Sequence, residues 1–162
     1  MRIIGIDPGL NITGFGIIEI SDNGLQCLKY GGIRTSSSAS FTDKLLNIHQ
    51  QVQCVIEEFR PNYCAVENIF YHRNKKTAII MGHSRAVAML AAAQHSIPIY
   101  EYSPREVKMS IVGYGAASKK QVQSMVQNIL HLNEKPCPED AADALAVAIC
   151  LYHRLKLLSV SR

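Results

Sequence analysis

Apolar and polar positions change rhythm several times along this chain, and each change predicts an element. Ile3-Ile4-Gly5-Ile6 is an unbroken apolar run with the composition of a buried strand. Alternation follows over roughly Thr13–Ile20 and Gln26–Arg34, two further strands with Asp22-Asn23-Gly24 as the hairpin turn between them. From Phe41 to Phe59 the period becomes helical, and Leu45, Leu46, Ile48, Val52, Val55, Ile56 and Phe59 fall mostly on one face before Pro61 ends the helix. Tyr63-Cys64-Ala65-Val66 is a short buried strand that delivers Glu67 at its end. A long helix over about Lys76–His95 is apolar around much of its circumference and rich in small residues, so it should be covered on two sides, by the sheet and by a second subunit. Ile97–Tyr100 reads as a last strand. Ser103-Pro104 opens a short helix to about Val112, Ser118-x-x-Gln121 is a capping box for a helix to about Leu130, and the final helix starts near Glu139 and runs past Leu155. The order β-β-β-α-β-α-β-α predicts a mixed α/β sheet, antiparallel first and parallel after, with helices on both faces.

Two strands in this pattern stop at an acid. Asp7 ends the first, beside Pro8-Gly9 and the glycine-bearing run Thr13-Gly14-Phe15-Gly16. Glu67 ends the fourth. A carboxylate at the end of a core strand is costly unless something pairs with it or coordinates it, and nearby glycines let a bulky polar ligand approach backbone. A turn cap would account for Asp7 alone. Asp140 and Asp143 share one face at the start of the last helix, where the helix dipole favours acids whatever their use. Adjacent first and fourth strands would set Asp7 beside Glu67, with the last helix bringing in the other two. Four carboxylates in one cleft repel one another, and hard divalent cations with oxygen ligands resolve that repulsion. Two such ions can stabilise the attacking and the leaving oxygen of an in-line phosphoryl displacement.

Three motifs in order, G-I-D-P-G-x-x-x-T-G-F-G at the start, E-N-I-F at Glu67 to Phe70 and D-A-A-D-A-L-A at Asp140 to Ala146, resemble the RuvC Holliday-junction resolvases. The resemblance extends to K-x-x-x-V-G at Lys108 to Gly113 and K-K-Q-V-Q at Lys119 to Gln123, and covers essentially the whole chain. It implies a ribonuclease-H-like fold with a five-stranded mixed sheet, in a single nuclease domain over residues 1–162. It implies a homodimeric endonuclease that nicks two strands of a four-way DNA junction symmetrically in recombination and repair. Asp7, Glu67, Asp140 and Asp143 would be the catalytic, metal-binding set, holding two Mg²⁺ ions for which Mn²⁺ can substitute. Phe70 would wedge against bases at the junction centre, with Arg73 and Asn74 in the same junction-facing loop and Lys108 and Lys119 near the scissile phosphate. The Lys76–His95 helix would form the dimer interface, and the RuvA-RuvB branch-migration complex would be a partner on DNA. Independently of family, the Phe70–Lys76 segment mixes aromatics that can stack on unpaired bases with cations that contact phosphates. Lys119, a cation at a predicted helix start, is also misplaced for the dipole.

Bulk properties narrow the alternatives. The 162 residues suit one domain, and 48% hydrophobic with 19% charged content suits a soluble globule. The net charge of +4 is mild and carries weight only if it gathers near the site. Five scattered cysteines without a C-x-x-C pair argue against zinc and a disulfide framework, and favour reduced thiols in the cytoplasm. No leader peptide is expected at the start, and no membrane span, since His83, Ser84, Arg85 and Gln94 interrupt the apolar runs. An RNA-processing nuclease on the same fold shares the first two acids but should lack the aromatic-basic segment. An actin-like phosphotransfer ATPase needs two such domains. A junction-binding module without cleavage gains nothing from acids near phosphates.

Overall fold

The computed structural model describes residues 1–22, 24–68 and 75–160. Five strands, β1 (Arg2–Asp7), β2 (Ile12–Ser21), β3 (Gly24–Arg34), β4 (Tyr63–Glu67) and β5 (Ile99–Tyr102), form one sheet in the order β3-β2-β1-β4-β5. The first three strands pair antiparallel, and β4 and β5 add parallel to β1. The helices are α1 (Phe41–Phe59), α2 (Lys75–Gln94), α3 (Pro104–Val112), α4 (Lys119–Ile129) and α5 (Glu139–Val160). This is the expected α/β, ribonuclease-H-like architecture.

The period of two along the strands decides which helices each residue meets. Ile4, Ile6, Ile17, Cys64 and Val66 point to the face covered by α1 and α2. Ile3, Ile18, Ala65 and Tyr102 point to the other face, covered by α3, α4 and α5. Continuing that alternation from Ile3 through Gly5 carries Asp7 onto the α5 face, and from Ala65 it carries Glu67 there too.

Several expected local signals are present. Ser103 caps α3 and Ser118 caps α4, each in a two-way capping box, with Glu106 and Gln121 respectively. At the β2–β3 turn, Gly24 takes a φ of 103°, which only glycine adopts freely; Asn23 lies outside the described residues.

Two expectations need correction. The last strand is Ile99–Tyr102, two residues later than Ile97–Tyr100. Pro98 has no N–H to give a ladder; its carbonyl accepts from Cys64 N at 2.9 Å, and regular pairing starts at Cys64↔Ile99 and runs to Glu67↔Tyr102. The long helix α2 leans chiefly on α1 and only lightly on the sheet. Its small buried residues Ser84, Ala88, Ala91 and Ala92 let it approach α1 closely, while Ile79 and Leu90 stay exposed on the far side.

Candidate active site

Asp7 and Glu67 end adjacent parallel strands whose register pairs Ile6 with Val66, so the two acids are neighbours on one face of the sheet. Across β1, Asp7 pairs with Gly14 and Gly5 with Gly16. These glycines are the seat of α5. A Cβ on Gly14 would lie 2.0 Å from the Asp140 carbonyl oxygen, and one on Gly5 would lie 2.0 Å from that of Ala144. With no side chains in the way, the first turns of α5 rest directly on β1 and β2. Ala141, Ala144 and Ala148 are fully buried in that contact. Asp140 and Asp143, one turn apart, are thereby held over the strand ends that carry Asp7 and Glu67.

The turn after Asp7 is closed without its carboxyl. Thr13, fully buried, donates from Oγ1 to the Gly9 carbonyl at 2.7 Å and accepts from Gly9 N at 3.4 Å. The turn-cap account of Asp7 therefore loses its support, and Thr13 is a positioning residue that the sequence pattern did not single out. Its signal was present in the D-P-G-x-x-x-T spacing.

All four acids line one cleft of about 430 Å³, together with Lys108 of α3 and Lys119 of α4. Met81, Pro104, Val107 and Val122 form its apolar wall. Nothing in the sequence marked Met81, which reaches the cleft from α2. Burial pushes the Asp7 carboxyl up from 3.8 to about 8, reinforced by the charges of Glu67, Asp143 and Asp140. Glu67 is also raised, first by burial and then by Asp143; its hydrogen bond with Asp7 and the charges of Lys119 and Lys108 oppose the rise. The pair thus keeps a proton on Asp7.

Lys119 Nζ donates to Asp143 Oδ2 at 3.0 Å, and this contact holds the ammonium above its ordinary range. The acid opposite offsets the unfavourable dipole at the α4 start. The lysine side chain is 66% exposed, so it closes the rim of the cleft without plugging it. Arg85 is ion-paired with Glu101 of β5, away from this cleft. Among the described residues no group of three or more His, Cys, Asp or Glu is already drawn together as a metal cage. The donor chemistry nonetheless fits a hard divalent cation: four carboxylates face one cleft, and their mutual repulsion is relieved by a proton and a lysine.

A family model described as crossover junction endodeoxyribonuclease RuvC matches residues 3–151. This chain belongs to the RuvC family. Crossover junction endodeoxyribonucleases RuvC of Ruminiclostridium cellulolyticum and Syntrophomonas wolfei are 49% and 47% identical to it, over 93% and 98% of this chain and 90% and 92% of theirs. The RuvC structure of Thermus thermophilus superposes with a TM-score of 0.87 at 34% identity, covering 96% of this chain and 97% of that one. The same protein in complex with Holliday junction substrate matches with a TM-score of 0.88. Like its relatives, the chain is a nuclease of the crossover-junction type. Phe70, Arg73 and Asn74, expected to face DNA in this RuvC-family chain, lie outside the described residues. Among the described residues, no helix is long and apolar enough to cross a membrane, and all five cysteines are free.

Proposed function

We propose that this enzyme resolves four-way DNA junctions by paired, symmetric hydrolysis of two phosphodiesters, with Asp7, Glu67, Asp140 and Asp143 holding two Mg²⁺ ions, for which Mn²⁺ can substitute. The observation that carries this reading is the convergence of four carboxylates from β1, β4 and α5 in one cleft with two lysines at its side. A RuvC of 34% identity has been captured with Holliday junction substrate, which supports the choice of DNA. Asp7, Glu67, Asp140 and Asp143 would hold the ions, which would supply a water of lowered pKa and positive charge for the leaving oxygen. Lys108 and Lys119 attract the scissile phosphate and set its approach. Asp143 would be among the residues that hold the metal, and Lys119, whose side chain is mostly in solvent, would then be available to the strand phosphate. The apolar wall of Met81, Pro104, Val107 and Val122 limits water on the side away from DNA. Phe70 stacks on bases at the junction centre, and Arg73 and Asn74 contact the same region.

One cleft makes one cut, so two cuts call for a two-fold dimer. The exposed apolar side chains Ile79 and Leu90 support α2 as the interface. Association with the RuvA-RuvB branch-migration complex, and a cytoplasmic setting, complete the reading. The deciding experiment compares four-way junction with linear duplex, with and without Mg²⁺, for the parent and Asp143→Asn. The variant should lose nicking yet bind junctions normally; lost binding with residual cleavage intact would overturn the assignment.

A further inference from the structure

A second concavity, of about 610 Å³, lies on the other side of α3, between that helix and the C-terminal half of α5. With about 100° between successive helical residues, Arg105, Glu106, Met109 and Ser110 occupy one half of α3 and line this groove, while Pro104, Val107 and Lys108 occupy the opposite half and line the catalytic cleft. The groove is therefore separate from the acids, with one helix as the shared wall.

Its surface is apolar with a basic rim. Met109 is 49% exposed and Leu158 59% exposed, unusual for large apolar side chains on adjoining helices. The Tyr102 hydroxyl in the floor is buried and meets no partner at hydrogen-bond geometry; burial raises its pKa, and the nearby Arg154 guanidinium only partly opposes the rise. Arg105 and Arg154 stand at the rim, and among the described residues neither is within salt-bridge distance of a carboxylate. Glu106, the acid among the residues that line the groove, is engaged in capping α3, where one of its oxygens accepts from both Ser103 N and Ser103 Oγ at 2.7 Å. Burial holds His153 below its ordinary range, so it is neutral near pH 7 and adds no charge. Glu106 stays an anion and offsets part of the charge of Arg154, so the two arginines leave the groove net positive.

We propose that this groove docks an acidic amphipathic segment of a partner protein, with its apolar side chains between Met109 and Leu158 and its carboxylates on Arg105 and Arg154. Helix-in-groove recognition uses this combination of apolar seam and charged flank. A second copy of this chain fits poorly, because a two-fold contact here would bring the arginines of both copies together. Duplex DNA would use the arginines but gain nothing from the exposed apolar floor. The occupant would sit behind α3 and leave the catalytic cleft open.

The test uses the full chain and two fluorescein-labelled helix-forming peptides of about 18 residues, with Leu at i, i+3 and i+7. One carries Glu on the flanking positions, the other Lys. The Glu peptide should bind with micromolar affinity by anisotropy, and the Lys peptide at least about tenfold more weakly. Leu158→Asp should weaken the Glu peptide at least about tenfold, as should Arg105→Glu combined with Arg154→Glu, while junction binding by each variant stays unchanged. Equal binding of both peptides, or no binding of either, overturns the proposal. So does a matching loss of junction affinity in the arginine variant, which would make these DNA contacts, or a concentration-dependent self-association abolished by Leu158→Asp, which would make the face a contact between copies. The variants lie outside the acid site, so failure here leaves the nuclease reading standing.

Discussion

Replacing Asp7 by Asn separates the electrostatic cost of the site from its use. In the folded, metal-free protein the Asp7 carboxyl titrates near pH 8, against 3.8 ordinarily, chiefly because it is buried and secondarily because Glu67, Asp143 and Asp140 surround it. The sign follows from proton counting. Between those two values the folded state holds a proton that the unfolded state has released, so stability falls as pH rises through this window. At pH 7 the gap from the ordinary value is about 3.2 pH units, equivalent to up to about 4 kcal/mol of destabilisation relative to a neutral side chain. Asn carries no such penalty. Its amide can replace the hydroxyl proton toward Glu67, but an imperfectly paired buried amide returns about 1–2 kcal/mol.

The net expectation is that Asp7→Asn stabilises the metal-free protein by about 2–3 kcal/mol at pH 7, or roughly 4–12 °C in Tm for a chain of this size. The gain should cross zero near pH 5, turn into a loss of about 1 kcal/mol near pH 4, where little charge penalty is left and the amide's imperfect pairing remains, and be largest near pH 8. Nicking should fall by at least about 100-fold, the scale on which one lost electrostatic partner costs rate. Added Mg²⁺ should raise the Tm of the parent at pH 8 and leave that of the variant almost unchanged. Melts from pH 4 to 8, with and without Mg²⁺, read all of this. A variant whose stability advantage is the same at pH 4 and pH 8, or an equal Mg²⁺ shift in both proteins, would refute the reasoning.

Gly14→Ala should place a methyl 2.0 Å from the Asp140 carbonyl and lift the start of α5; we expect about 1–3 kcal/mol of destabilisation, and a nicking loss that persists at temperatures where the variant is fully folded, checked by melts and junction assays side by side. If α2 forms the proposed two-fold interface, the protein should be a dimer in light scattering, Ile79→Asp combined with Leu90→Asp should make it a monomer, and junctions should then accumulate single nicks. Retention of the dimer would move the interface elsewhere.

Much of the site was legible because it obeys simple rules. Apolar strands that stop at Asp7 and Glu67, and acids three apart at Asp140 and Asp143, announce themselves by spacing. The two capping boxes were equally plain, since Ser103 and Ser118 use local bonds that sequence alone specifies. What escaped depends on contacts distant in sequence. Gly14 reads as access for a ligand, whereas its hydrogen, like that of Gly5 in the buried strand, makes room for the α5 backbone. The shift of the last strand past Pro98 was set by which residue of β4 it met. The support of α2 by α1 could not be told from support by the sheet, because an apolar, small-residue stripe fits either.

The same tension that makes the acid cleft costly also explains its surroundings. Bringing four carboxylates together opposes folding, and the chain answers with groups that can be withdrawn: a proton on Asp7 and the exposed Lys119 on Asp143. A buried arginine would compensate more firmly, but it could not yield to a cation. Lys119 can, because its side chain is mostly in solvent and its pairing is correspondingly weak. The lysine proposed to meet the strand phosphate and the charge balance of the cleft are thus one residue serving in turn. Replacing it by Met should cost turnover more than stability, since the lysine end of the pair is mostly in solvent although Asp143 is only 17% exposed, which holds the pair to about 1 kcal/mol, while the proposed phosphate contact is lost. Melts and junction nicking of Lys119→Met read the two effects separately, and equal losses in both would return the residue to a purely structural role.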